Sequence, residues 1–588
     1  MRVFKELWWF FKQERRAYGI GIALLAVVAF LELIPPKVIG TIVDHLEQGT
    51  LTKEILLTWI GILFAVGVSV YVVRYIWRIF IFGSSVKLAR QLRNDLYKHF
   101  TSMSPSFYEK RRTGDLMAHA TNDLQAIQAT AGAGVLTFVD SLMTGGFVLI
   151  AMGSTISWKL TLISLLPMPL MAFMTSWYGR LLHKHFHGAQ AAFSSLNNKV
   201  QESMSGIKVL KTLAQQEQDA EKFIAQSDDV VEKNIRVAKI DSLFNPTISF
   251  IVGLSFFLAI AFGARFVTAG DMTVGDLVSF TTYLGLLIWP MLAFGWLFNI
   301  VERGRASYDR VRKLLAEKPL ITDDKAEVNT PPKGDIQFQV DEFHYSEANE
   351  LPPVLAHVSF SLKRGETLGI VGKTGSGKST LLKLLIREHE VNKGKILLDE
   401  HPITSYKLTA LRQAFGYVPQ DHFLFSTTVA DNIAFGRPMA SYEEIIEAAK
   451  TAQVHEDITQ FAEGYETVVG ERGVTLSGGQ KQRLSIARAL LVDPEILILD
   501  DSLSAVDGKT EAAILAQLKE KRSMKTTIIT AHRLSAVRHA DVILVLDEGR
   551  VIQRGVHDDL MNEDGWYRET FLRQQMETLV ERGGQNDE

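Results

Sequence analysis

Residues 18–43, 56–82, 132–155, 158–180, 243–268 and 275–302 form six predominantly apolar stretches. As helices, each is long enough to cross the ~30 Å hydrocarbon core of a bilayer. Pro35 and Pro36 interrupt the first, Pro167 and Pro169 the fourth and Pro290 the sixth. A bundle tolerates such breaks because neighbouring helices satisfy the freed backbone groups. The plainer reading, buried helices of a large soluble protein, does not account for where the charge falls. Basic residues crowd segments 83–131 and 181–242, among them Lys87, Arg90, Arg93, Lys98, Lys110, Arg111, Arg112, Lys208, Lys211, Lys222, Lys233 and Arg236. The short loops between spans carry Asp44, Glu47, Glu54 and Asp271 instead. The positive-inside rule then predicts cytoplasmic long segments and cytoplasmic termini.

Past about residue 305 the pattern changes to that of an α/β domain. Short apolar runs at Thr367–Val371, Ile496–Leu499 and Thr526–Thr530 read as buried strands, and 481–490 has helical periodicity. Before the first span, residues 1–16 are basic and amphipathic, which predicts an elbow helix at the membrane interface rather than a cleaved leader. The predicted organisation is an elbow at 1–16, a membrane domain at 17–315, a linker at 316–335 ending after Pro331-Pro332, an α/β domain at 336–575 and a polar tail at 576–588. Gly and capping residues break the long segments at 113–123 and 203–214, as in a helix–turn–helix elbow.

Composition narrows the chemistry. The net charge of −3 gives no electrostatic case for nucleic acid. With no cysteine in 588 residues, disulfides, thiolate metal sites and a cysteine nucleophile are all excluded.

Residues 372–379 read GKTGSGKS, a phosphate-binding loop of the form GxxxxGK[ST] directly after an apolar strand. In such a loop Gly372, Thr374, Gly375, Ser376 and Gly377 let backbone N–H groups approach phosphate oxygens. Lys378 reaches the outer phosphates, Ser379 can ligate Mg²⁺ and Thr380 is counted with the nucleotide-binding residues. About a hundred residues later stands LSGGQ, 476–480, with a Ser hydroxyl and Gly N–H groups at a helix start, a ready anion site.

With both motifs in hand, the chain resembles the ATP-binding cassette (ABC) family along almost its whole length. The resemblance implies an all-α six-helix transmembrane domain of the type IV exporter class, followed by an α/β P-loop nucleotide-binding domain. It implies ATP and Mg²⁺ as cofactors and assigns roles by position. Tyr345 stacks on adenine. Gln420 reaches Mg²⁺ and the attacking water, Asp500 holds Mg²⁺ and His532 contacts the γ-phosphate. Ser477, Gly478, Gly479 and Gln480 close over nucleotide held by another domain, so one cassette per chain implies a dimer with a second half-transporter. Ser504–Asp507 and Glu471–Gly473 resemble segments that meet that partner, and 113–123 and 203–214 fall where the family places its coupling helices.

One position departs from the family pattern. Efficient hydrolases of the family carry Glu immediately after the Asp500 position, whereas this chain has Asp501. The carboxylate is retained but shortened by one methylene, ~1.5 Å of reach. Asp501 then reads as a slower base in a homodimer, as a harmless change offset by a backbone shift, or as the mark of a heterodimer in which this chain's own site is degenerate. The third is the expectation, and it resembles bacterial heterodimeric multidrug exporters, most closely the shorter subunit of a Bacillus exporter.

The expected activity is ATP-driven efflux of small hydrophobic or cationic drug-like compounds across the bacterial plasma membrane, in contact with membrane lipid. A homodimeric lipid or peptide exporter and a drug-sensing regulatory protein are the alternatives. Phe256, Phe257, Trp289, Phe294, Trp296 and Phe298 are cavity candidates, though at helical spacing lipid-facing or packing roles suit them better. Glu32 and Asp140 fall inside spans, where a carboxylate is costly and either serves function or pairs with a polar neighbour.

Overall fold

The computed structural model of the chain describes residues 2–324, 326–345, 352–470 and 476–584, without the side chains of 172, 176, 294 and 578–584. Glu471–Gly473 and the Phe294 side chain therefore lie outside the described residues. The chain divides into two compact units, 1–102 with 111–318, and 103–110 with 319–588.

The first unit is helical throughout. Helices Arg2–Glu6 and Trp8–Gln13 form the elbow and bury Val3, Leu7 and Phe10 along one side while Trp8 stays exposed. The first span is two helices, Arg15–Leu31 and Ile34–Glu47, with the break just before Pro35-Pro36. Proline suits a helix's first turn, where its missing N–H would have no partner anyway. Helix Lys53–Ser102 carries the second span and helix Gln216–Thr268 the fifth, the latter with Pro246 inside. The sixth runs through Val274–Leu286 and Ile288–Ala316.

Among the described residues, five helical segments rather than six are long and apolar enough to cross a membrane: 15–47, 53–102, 113–165, 216–268 and 274–316. The expected fourth span accounts for the difference. Ser157 leaves the third span in an extended conformation and caps a new helix, accepting a hydrogen bond from the Leu160 N–H at 3.3 Å. That helix, Trp158–Leu165, ends at Pro167, and Met168–Ser205 continues past it. Apolar character is thus shared between two helices.

Close backbone contact fixes one crossing in this unit. A Cβ on Gly40 would stand 1.9 Å from Ser279 Oγ, and one on Gly275 would stand 2.1 Å from the Gly40 carbonyl oxygen. Small residues at such points let membrane helices pack backbone to backbone. Asp44 ties the same crossing, accepting from the Gly275 N–H at 2.7 Å and the Thr273 hydroxyl at 2.9 Å.

Of the two intramembrane carboxylates, Glu32 pairs with Arg74, and Asp140 accepts a long 3.5 Å hydrogen bond from Thr144. Phe257, Trp289, Trp296 and Phe298 are exposed on the unit, whereas Phe256 packs against an interior cluster containing Ile251, Phe280 and Leu284.

The second unit holds two sheets. Strands β1 (Ile336–Phe343), β2 (Leu355–Leu362), β4 (Lys393–Leu398) and β5 (His401–Pro402) form an antiparallel sheet in the order β2-β1-β4-β5. Strands β3 (Thr367–Gly372), β6 (Phe415–Val418), β7 (Ile496–Asp500), β8 (Thr526–Thr530), β9 (Val542–Asp547) and β10 (Arg550–Gly555) form the other, in the order β10-β9-β3-β8-β7-β6. Its central pairings are parallel, and β3, β7 and β8 bury nearly every residue, as a sheet covered on both faces requires.

Two segments carry detail that the sequence reading lacked. Much of 316–335, expected as a linker, is laid on the second unit. Val328 bridges to Tyr406, and the Gly334 and Asp335 N–H groups donate to the Asp399 carboxylate at 3.2 and 3.0 Å. One carboxylate gathering successive N–H groups is enough to order an otherwise polar stretch. The piece of the early long segment that clusters with the ATPase unit is 103–110, with helix Pro105–Glu109, whereas 113–123 continues as helix within the first unit.

Candidate nucleotide site

The phosphate loop leaves the C-terminal end of β3 and enters helix Lys378–Leu385. Gly372 and Gly377 have φ of +147° and +99°, and neither has room for a side chain. A Cβ on Gly372 would meet the Leu546 carbonyl oxygen at 2.0 Å, and one on Gly377 would meet Leu355 at 2.7 Å. Glycine is required at both, so the backbone curls tightly enough for its N–H groups to converge. Lys378 donates to the Gly372 and Lys373 carbonyls, each at 2.9 Å, and burial pulls its ammonium below the usual lysine range against the opposing pull of Asp501 and Asp500. Ser376 Oγ is buried with no hydrogen-bond partner among the described residues. A curled loop with an unpartnered hydroxyl and a desolvated ammonium fits a polyphosphate.

Strand pairing builds a candidate metal position. Asp500 and Thr530 are register partners at the ends of β7 and β8. Asp500 accepts from Thr530 Oγ1 at 2.7 Å, Ser379 Oγ at 3.1 Å and the Tyr417 hydroxyl at 3.3 Å. The Asp500 carboxylate and Ser379 hydroxyl are hard oxygen donors on one point, as Mg²⁺ demands. Neither Thr530 nor Tyr417 stood out in the sequence. A Thr closing a buried strand beside the site was the available signal for the first.

Asp501 adopts the left-handed region at φ +48°, a conformation Asp tolerates better than most residues. Its N–H donates both to the Thr530 carbonyl at 3.1 Å and to Thr530 Oγ1 at 3.0 Å. Both bonds run from one N–H into β8. The carboxylate stands 3.9 Å from His532 Nε2. Burial raises its pKa above the ordinary carboxylate value, with His532 acting in the opposite direction. Gln420, by contrast, is exposed in the bend after β6 and hydrogen bonds to none of these groups.

Tyr345 stands half-exposed beside the loop. Its hydroxyl lies 2.9 Å from Thr380 Oγ1, and its ring meets Phe343 and His389 edge-on, with centroids 5.1 and 5.0 Å away. Lys383 Nζ lies 5.9 Å from the ring centroid and is anchored by Glu109 at 2.9 Å. Sequence reasoning missed this anchor because Glu109 is 274 residues from its partner.

The signature residues gather elsewhere in the unit. Ser477 caps helix Gly478–Leu491, accepting from the Gln480 N–H at 3.2 Å while Gln480 Oε1 accepts from the Ser477 N–H at 3.0 Å. Gln482 holds Ser504 and Ala505 alongside, with bonds of 3.2 and 3.0 Å. Asp507 caps the next helix, taking the Lys509 and Thr510 N–H groups at 3.1 and 3.0 Å. Among the described residues no hydrogen bond or ion pair joins the signature to the phosphate loop.

Comparison with known proteins agrees with this architecture. Residues 18–291 match the family described as ABC transporter transmembrane region, and 355–504 match ABC transporter. The chain is 48% identical to the multidrug resistance-like ATP-binding protein MdlA of Escherichia coli over 100% of its own length and 99% of that protein. It is 47% identical to the probable multidrug resistance ABC transporter ATP-binding/permease protein YheI of Bacillus subtilis, over 99% of each. A solved bacterial Atm1-family ABC exporter with ATP bound superposes with a TM-score of 0.79 at 28% identity, covering 95% of this chain and 98% of that one. A curled phosphate loop, a paired Asp–Ser candidate metal position, a capped LSGGQ helix and a fused helical unit thus occur together in a chain that belongs to the ABC transporter family, as a half-transporter of the exporter fold.

Proposed function

We propose that this chain is one subunit of a heterodimeric exporter, driven by ATP, whose own phosphate loop forms the slower of two nucleotide sites. The observation that carries this reading is Asp501. A water-activating carboxylate must come within hydrogen-bond distance of the nucleophile. Here it is one methylene short, and its N–H donates to Thr530. A misplacement of 1 Å costs on the order of 10²-fold. The intact signature 476–480 would complete the partner's faster site. The likeness to the shorter subunit of the Bacillus exporter (BmrC) belongs to this proposal.

Within the site, the N–H groups of 372–377 and the Lys378 ammonium would bind and orient the phosphates. Tyr345 would stack on the base, and His532 would donate to the terminal phosphate. Ser379, Asp500 and, after its loop closes, Gln420 would hold Mg²⁺, which when bound supplies charge neutralisation on the phosphate oxygens. Asp501 would orient the attacking water and take its proton.

The names of the two relatives support drugs as cargo; the proposed compounds are small and hydrophobic or cationic, moved across a bacterial plasma membrane with both termini cytoplasmic. ATPase activity and dye accumulation, measured in inverted vesicles, test the proposal. Vesicles carrying this chain alone should turn over ATP slowly, and co-expression with a half-transporter that has Glu after its own Walker B aspartate should restore both activities. Rapid turnover by this chain alone would reject the heterodimer.

A further inference from the structure

The geometry points to a two-histidine binding site for a late first-row divalent metal ion on the long helix Met168–Ser205. The sequence there reads His183-Lys-His-Phe-His187. Residues four apart share one helix face, and those two apart do not. His183 and His187 accordingly come together on the exposed side, with Nε2 atoms 3.1 Å apart and ring centroids 4.4 Å apart at 87°, while His185 turns away.

That separation suits a shared ion. Two imidazole nitrogens bound at 2.0–2.1 Å, at angles between octahedral and tetrahedral, lie ~2.9–3.4 Å apart. The helix fixes the spacing in advance, so binding need only turn two rings whose nitrogens already meet. Imidazole pairs select Cu²⁺, Ni²⁺ and Zn²⁺, whereas Mg²⁺ and Ca²⁺ require oxygen. Arg180 and Lys184, on the same helix, oppose a cation electrostatically, so the ion must be held by coordination rather than by field. Among the described residues no group of three or more His, Asp or Glu side chains could hold a metal, which leaves water to complete the sphere. The chain has no cysteine to compete.

The neighbourhood is rigid enough to present the pair. Tyr178 bonds Thr247 at 3.2 Å on one side of it. On the other, Lys199 and Ser203 both engage Asp219, the latter at 2.7 Å. An ion bridging 183 and 187 would clamp one turn of a helix already tied at two points to helix Gln216–Thr268.

Equilibrium dialysis and electron paramagnetic resonance of the tag-free full chain in lipid nanodiscs, with Cu²⁺ as the probe, test this site. One ion per chain with a nitrogen-coordinated spectrum is expected. Either His183→Ala or His187→Ala should weaken binding by ~10–100-fold, at least what losing an outer-shell partner costs. His185→Ala should leave it unchanged, and Cu²⁺ should slow amide exchange around 183–187. Wild-type affinity in His183→Ala, equal loss in His185→Ala, or no bound ion in the wild type would each overturn the proposal.

Discussion

The nucleotide-binding unit and the helical unit differ in how tightly function constrains sequence. Phosphate is a small ligand of fixed shape, and each part of its cradle has one acceptable solution. Gly372 and Gly377 leave no room for a Cβ, Lys378 is buried among its own loop's carbonyls, and Asp500 sits where β7 and β8 end side by side. The helical unit must span a bilayer and pass along its cargo, tasks that many apolar sequences perform. Its specific contacts, such as Gly40 against Gly275 and Arg74 against Glu32, are set by packing partners more than 40 residues away in sequence. A chemical constraint leaves a motif, whereas a packing constraint leaves only a pattern.

The sharpest way to break that comparison is to compare single changes in the two units. Lys378→Ala should reduce hydrolysis at this chain's own site by ~10²–10³-fold, read as single-site turnover in an assembled transporter whose partner site is disabled, as removal of one preorganised donor does elsewhere. Retained turnover in a vesicle assay would mean the cradle is less constrained than its geometry implies. Gly275→Val should act on stability instead. Its side chain would collide with the Gly40 carbonyl and Asp44, costing ~1–3 kcal/mol from overpacking. A lowered melting temperature with unchanged nucleotide affinity is the expected result.

The smallest effect belongs to Glu109→Gln. The pair with Lys383 is partly exposed, so a shift of about two- to five-fold in apparent ATP affinity, with kcat retained, is expected. Its hydrogen bond with Lys383 holds the Glu109 carboxyl below the usual range. A depressed carboxylate contributes stability above its unfolded pKa and loses it as pH falls through the folded one. The Gln variant should therefore match the wild type at acidic pH and diverge towards neutrality, measured as nucleotide affinity across that range.

How much of this was legible follows the same division. The phosphate loop, the strand ending in Asp500 and the helix start at Ser477 were readable because a short local pattern marks each of them. The strand runs before Gly372 and through Asp500 were readable because a doubly covered sheet needs continuous apolar residues. Thr530 and Tyr417 were not, since their roles arise only when β8 and β6 flank β7. Glu109 was hidden by 274 residues of separation. The predicted fourth span, 158–180, is divided at Pro167 between helices Trp158–Leu165 and Met168–Ser205, which is why five helical segments among the described residues are long and apolar enough on their own. The order of 316–335 escaped notice because a Pro-rich polar stretch gives no sign that Asp399 will gather its N–H groups.

The central claim is that Asp501 falls short of the water by one methylene. Single-turnover ATP hydrolysis by the assembled heterodimer in nanodiscs, with the partner's own catalytic Glu replaced by Gln, wild type beside Asp501→Glu, tests it most directly. The account predicts that Glu speeds the chemical step by ten-fold or more, approaching the ~10² ascribed to a 1 Å correction, with ATP affinity unchanged. Equal rates, or a slower Glu variant, would contradict it.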